Sequence, residues 1–121
     1  SQMKPEDILA LRQQVNKVHV EPSIEKYAVS LVAATRNLQS YHDGWAGLVK
    51  TGASPRGSIA LLRAAMSRAL FQNRDYVIPE DIVELSADVL RHRLVLDFAA
   101  EAEGVTADDI IQHLVSVIDA P

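Results

Sequence analysis

The tetrapeptide Pro-Glu-Asp-Ile occurs twice, at Pro5 to Ile8 and at Pro79 to Ile82, and a relative, Thr106-Ala-Asp-Asp-Ile110, opens a third segment. Each reads as a helix start. Proline lacks the N–H that a first helical residue leaves unbonded anyway, and the acidic pair complements the positive end of the helix dipole. Behind these starts apolar residues recur at helical spacing: Ile8, Leu11, Val15, Val18; then Ile82, Leu85, Val89; then Ile110, Leu114, Val117. One buried face is expected for each. Another helix begins near Pro22 and Ser23 and carries Ile24, Tyr27, Ala28, Leu31, Thr35 and Leu38 on a face. A further one, from Pro55 to about Gln72, is expected to pack through Ile59, Leu62, Ala65, Met66, Ala69 and Leu70. The pattern predicts an all-α chain, in the main, of five helices.

Two segments depart from it. "VHVE", Val18 to Glu21, and "HRLVLDF", His92 to Phe98, alternate apolar and polar residues briefly, leaving room for one short strand or a strand pair. The longest stretch without a pattern is "QSYHDGWAGLVKTGAS", where Gly44, Gly47 and Gly52 prevent a stable helix.

With 121 residues, 48% of them apolar, the chain can build one core as a single domain. A net charge of −4 with mixed signs argues against a nucleic-acid binder, and 5% aromatics supply neither base-stacking platforms nor an aromatic-lined pocket. There is no cysteine, hence no disulfide or thiolate metal site. No secretory leader or membrane-length apolar run appears, so a cytoplasmic protein with no membrane partner is expected.

Gly44-Trp-Ala-Gly-Leu-Val-Lys50-Thr51 imitates a phosphate-binding loop, but Val49 replaces the glycine before the lysine and no helix follows. His19, His42, His92 and His113 lack metal-ligand spacing, and no nucleophile signature is present. No catalytic set and no metal site are read from the chain alone.

"GASPRGS", Gly52 to Ser58, is more informative. Ser54 reads as an N-cap and Pro55 as the first helical residue, while Gly52 and Gly57 allow a close approach to the backbone. Arg56 would then project from the positive end of a helix, a place that disfavours cations. Either it is a solvated or structurally paired arginine, or its guanidinium and the backbone N–H groups grip an anion together.

Thr35-Arg36, "GASPRG", the turn "NRDYVIPEDI" from Asn73 to Ile82 and Val89-Leu-Arg-His-Arg93, in this order and spacing, resemble the C-terminal lid of MoxR-type AAA+ ATPases, the branch that includes the magnesium-chelatase motor. The likeness spans nearly the whole chain. It implies a five-helix lid over residues 5–121, with residues 1–4 as linker or non-native leader and an ATPase core preceding the lid. In the family that core carries the phosphate-binding loop and the magnesium-binding carboxylates. Arg56 matches the sensor-two arginine, which contacts the terminal phosphate of ATP, supported by Ser54, Pro55 and Gly57. Arg36 and Arg93 match family positions and are secondary candidates for nucleotide contact, an interface or structural ion pair being the commoner fate of such residues. Where the family often has alanine after S-P-R, this chain has Gly57, expected to weaken the helix start by up to ~1 kcal/mol.

The resemblance further implies ATP as cofactor, with Mg2+ held through the core, and hydrolysis by the full-length protein but not by this chain alone. Implied partners are that core, neighbouring subunits of a ring, commonly a hexamer, and a von Willebrand factor A domain protein. The implied task is chaperone-like remodelling or metal-cofactor insertion. Two alternatives are a stand-alone helical protein-interaction module and a helix-turn-helix DNA binder, the latter disfavoured by the acidic balance.

Overall fold

The computed structural model describes residues 4–121. Of the expected linker, residues 1–3 lie outside the described residues, and Lys4 caps the first helix. Six α-helices follow: α1 (Pro5–Asn16), α2 (Pro22–Ala34), α3 (Arg56–Phe71), α4 (Pro79–Leu90), α5 (Phe98–Glu103) and α6 (Ala107–Val117). Five were expected; α5 is the addition, too short for its apolar residues to show a period.

The three related helix starts share one device. In each, the aspartate three residues past the cap accepts a hydrogen bond from the cap residue's own N–H: Lys4 to Asp7 Oδ2 at 3.1 Å, Ile78 to Asp81 Oδ2 at 2.8 Å, Thr106 to Asp109 Oδ2 at 3.0 Å. At α6 the Thr106 hydroxyl also accepts from the Asp109 N–H, completing a reciprocal capping box. The acidic pair thus caps as well as complementing the dipole.

The core is built by α2, α3, α4 and α6, which bury Leu31, Leu61, Ile82, Leu90, Ile110 and Leu114 almost completely. All six residues expected on the inner face of α2 and its extension are buried. The face of α3 is rotated from the expected one: Leu61, Ala65 and Ala69 are fully buried, while Ile59 is exposed. Helix α1 lies against α3 without fully burying any residue, so its predicted face is covered only in part. On α6, Val117 is exposed although Ile110 and Leu114 are not.

Both alternating segments pair. Val95–Leu96 forms strand β2, antiparallel to β1 (Val49–Thr51), with Val49 opposite Leu96. His19 makes a parallel bridge with Tyr76, its N–H bonding the Asp75 carbonyl at 2.8 Å. Strand β1 arises inside the glycine-rich stretch read as patternless. Its Lys50 therefore lies on a strand and not at a helix start, unlike a phosphate-binding loop.

Helix α3 ends in a left-handed residue, Asn73 at φ 61°, and the next N–H, of Arg74, bonds back to the Ala69 carbonyl at 2.9 Å. Asparagine tolerates this conformation better than other side chains do. The turn delivers Arg74 to the fully buried Asp81, whose carboxylate also receives Arg68 from α3 at 2.5 Å and Ile78 N–H. Burial opposes ionisation of Asp81, but the Arg74 hydrogen bonds, the Ile78 N–H and Arg68 outweigh it and hold the carboxyl below the usual carboxylate range.

Candidate functional site

The segment from Gly52 to Arg56 runs across the C-terminal end of α2, and two neighbouring residues grip it there. The buried Thr35 hydroxyl donates to the Val32 carbonyl at 2.6 Å and accepts the Ala53 N–H at 2.9 Å. The Arg36 guanidinium donates to the carbonyl of the same Ala53. Ala53 is fully buried, so neither of its backbone groups has water as an alternative partner.

Gly52 makes this approach sterically feasible. A Cβ there would stand 2.7 Å from the Thr35 carbonyl oxygen and 2.9 Å from the Arg36 nitrogen, which are backbone atoms unable to yield. The close approach expected at Gly52 is therefore to α2 of the same chain. At Gly57 a Cβ would meet Leu90 Cδ2 at 3.4 Å, Ala53 Cβ at 3.5 Å and Arg93 Cδ at 3.6 Å, all ordinary contacts.

The helix start differs from expectation by one residue. Pro55 occupies the cap position in a helical conformation, Arg56 is the first helical residue, and the Ser54 hydroxyl makes no capping bond. Instead the Ser54 carbonyl accepts the Gly57 N–H at 2.8 Å and the Pro55 carbonyl accepts that of Ser58 at 3.1 Å. A proline already in the helical region pulls the first turn into this tight i to i+3 pattern. Those two N–H groups are consequently engaged, and any anion contact at this end rests chiefly on the guanidinium.

Arg56 is exposed, as are Arg36 and Arg93. Of the three, Arg36 alone hydrogen-bonds to protein among the described residues. The stem of Arg93 passes Gly57, and Arg36 reaches Ala53, so both meet the segment that carries Arg56. Arg93 is carried on a short 3-10 turn, Arg91–Arg93, fastened to α6 by Arg91, which forks onto Asp108 at 2.6 and 2.9 Å. The Arg91 hydrogen bond holds the Asp108 carboxyl below the usual carboxylate range against the opposing effect of desolvation. No acidic residue lies in the first turn of α3, whereas α1, α4 and α6 each have two. The site is thus cationic, exposed and without an internal counter-charge in its own turn.

A family model of the AAA lid domain matches residues 46–114, which include β1, the arginine-bearing start of α3, α4 and most of α6. The chain belongs to the AAA lid domain family. Among similar proteins is the "Uncharacterized protein YeaC" of Bacillus subtilis, 40% identical over 96% of this chain and 34% of its own length. "Chaperone MoxR1" of Mycobacterium tuberculosis is 37% identical over 95% of this chain and 31% of its own. A crystal structure described as a "putative ATPase" from Cytophaga hutchinsonii superposes with a TM-score of 0.90 at 42% identity, covering 96% of this chain and 36% of that one. The chain therefore spans about a third of the relatives it matches. The MoxR-type AAA lid read from the sequence is borne out, as is its mainly helical fold with a short strand pair. No helix among the described residues is long and apolar enough to cross a membrane.

Sequence reasoning missed the grip on Ala53. The signal was present: Thr35 falls on the buried face of α2, and a buried hydroxyl needs a partner. It also missed the packing of His42 on Trp45, with ring centroids 4.2 Å apart, and of His113 edge-on to both. His113 Nε2 donates to the Tyr41 carbonyl at 3.0 Å, tying α6 to the loop ahead of β1. No local pattern could have joined residues so far apart in the chain.

Proposed function

We propose that this chain is the lid of a MoxR-type AAA+ ATPase and that Arg56 is its nucleotide-sensing residue, contacting the terminal phosphate of ATP. The observation that carries the reading is an exposed guanidinium with no hydrogen-bond partner among the described residues, held at the first position of α3 in a turn without carboxylates. Such a group has the planar, permanent charge that suits phosphate oxygens. ATP supplies a terminal phosphate that is present before hydrolysis and gone after it. A contact from the lid to that phosphate ties the position of α3 to the state of the nucleotide, a hinge-type switch.

Arg93, beside Gly57, would reinforce the positive potential there, while Arg36 is engaged by Ala53 and serves structure first. Ser54 and Pro55 contribute the tight turn and not a side-chain cap, and Gly57 lies buried beside Leu90 and Ala53. The phosphate-binding loop and the Mg2+ ligands belong, in this reading, to the core of the full protein, and the lid by itself hydrolyses no ATP. Assembly into a ring, commonly a hexamer, cooperation with a von Willebrand factor A domain protein, and use of the cycle in remodelling or metal-cofactor insertion are extensions of the proposal. The word "chaperone" in the name of the mycobacterial relative favours remodelling.

The test is ATP turnover by the full-length protein with Arg56→Ala. Loss of a charge-assisted contact to the transferring group should lower turnover by about tenfold to a thousandfold. Undiminished turnover would remove Arg56 from the site.

A further inference from the structure

We infer that Thr35, with Arg36, is a positioning residue for Arg56: a hydroxyl and guanidinium at the end of α2 lock the peptide from which the sensing arginine is presented. This rests on the reading of Arg56 given above. The Ala53 peptide is bound at both of its polar groups, the N–H by Thr35 and the carbonyl by Arg36. Thr35 is itself fixed, since its own hydroxyl hydrogen is committed to the Val32 carbonyl at 2.6 Å. Gly52 lies close enough to the Thr35 and Arg36 backbone to leave no room for a side chain, and the two hydrogen bonds hold the loop in that approach.

Only Ser54 and Pro55 separate the gripped residue from Arg56. Proline has a fixed φ, and the Ser54 carbonyl is bonded to Gly57 N–H, so little freedom remains between the grip and the arginine. A rotation of the Ala53 peptide would therefore redirect the Arg56 stem. The same connection runs the other way. Force applied to Arg56 by a bound phosphate reaches α2 through Thr35, and α2 packs along α3 and α6 in the core. Thr35 and Arg36 thus make the nucleotide contact act on the lid as one body.

The chemistry separates this role from simple burial. Valine has the shape of threonine but cannot accept the Ala53 N–H, which then stays buried without a partner. Serine keeps the acceptor. In the full-length ATPase, Thr35→Val should lower turnover by about tenfold, and Thr35→Ser should restore most of it. The distinguishing readout is coupling: in an Arg56→Ala background, Thr35→Val should cost at most about twofold more, because a positioning residue has nothing left to position. Arg36→Gln, at an exposed site, should show the same non-additivity even if Thr35→Val folds poorly.

Ser86→Ala provides the control for stability. It removes another buried hydroxyl, bonded to the Ile82 carbonyl at 2.6 Å, that does not touch this loop, and should leave turnover of the folded protein unchanged. Full turnover in Thr35→Val, or an undiminished further loss in the double variant, would overturn the positioning role while leaving Arg56 in place. An Arg56→Ala protein as active as wild type would instead overturn the nucleotide-sensing reading, and this inference with it.

Discussion

Asp81 is the residue on which most polar structure converges. It is fully buried, it caps α4, and it receives Arg68 and both terminal nitrogens of Arg74. Two guanidinium groups face one carboxylate, so neutralising the acid strands positive charge against the core. Asp81→Asn should destabilise the domain by about 3 to 5 kcal/mol, measured by urea unfolding of this chain. A change below about 1 kcal/mol would mean that the arginines escape to solvent at little cost. Because the folded carboxyl titrates below its unfolded value, its contribution is fully present above about pH 4 and disappears as pH falls through the lower, folded value. The wild-type chain should therefore lose stability steeply below about pH 4, and the asparagine variant should show less of that acid slope.

At the level of elements, the start of α3 carries a testable weakness. Glycine at its second residue is not demanded by space, since the contacts of an added methyl with Leu90, Ala53 and Arg93 fall in the ordinary range. Gly57→Ala should raise stability by about 0.4 to 1 kcal/mol by restricting the unfolded chain, with thermal unfolding as the measurement. Destabilisation would show that Leu90 cannot give way. Gly52 has the opposite logic, because there the neighbours are backbone atoms. What the sequence disclosed about these elements follows from how local each signal is. The buried face of α2 was legible because its period is clean and its start is marked by Pro22, but its end was not, and the expected face ran on to Leu38 where the helix stops at Ala34. Helix α1 was legible as a helix, but periodicity tells which residues share a face and not what covers it, and Ile8 and Leu9 are exposed. Strand β1 was hidden because its three residues owe their conformation to β2, more than forty positions away. Arg56 could be placed at the start of α3 from sequence, whereas the pairing of Thr35-Arg36 with Ala53 depends on the tertiary fold.

For the whole molecule, the AAA lid match covers the segment between Ala46 and Leu114, and the same architecture recurs in a solved chain nearly three times as long as the part aligned here. A bundle tied together by Asp81, by the Arg91–Asp108 fork and by the His42–Trp45–His113 cluster can move as a unit. That rigidity is what a sensing arginine requires, since a soft lid would absorb the pull of a phosphate locally. The central claim is that Arg56 distinguishes ATP from ADP. The most direct measurement is equilibrium binding of a non-hydrolysable ATP analogue and of ADP to the full-length protein, wild type and Arg56→Ala. A contact to the terminal phosphate predicts that the variant loses about tenfold to a hundredfold in affinity for the ATP analogue and little for ADP. Equal losses for the two nucleotides, or no loss for either, would contradict it.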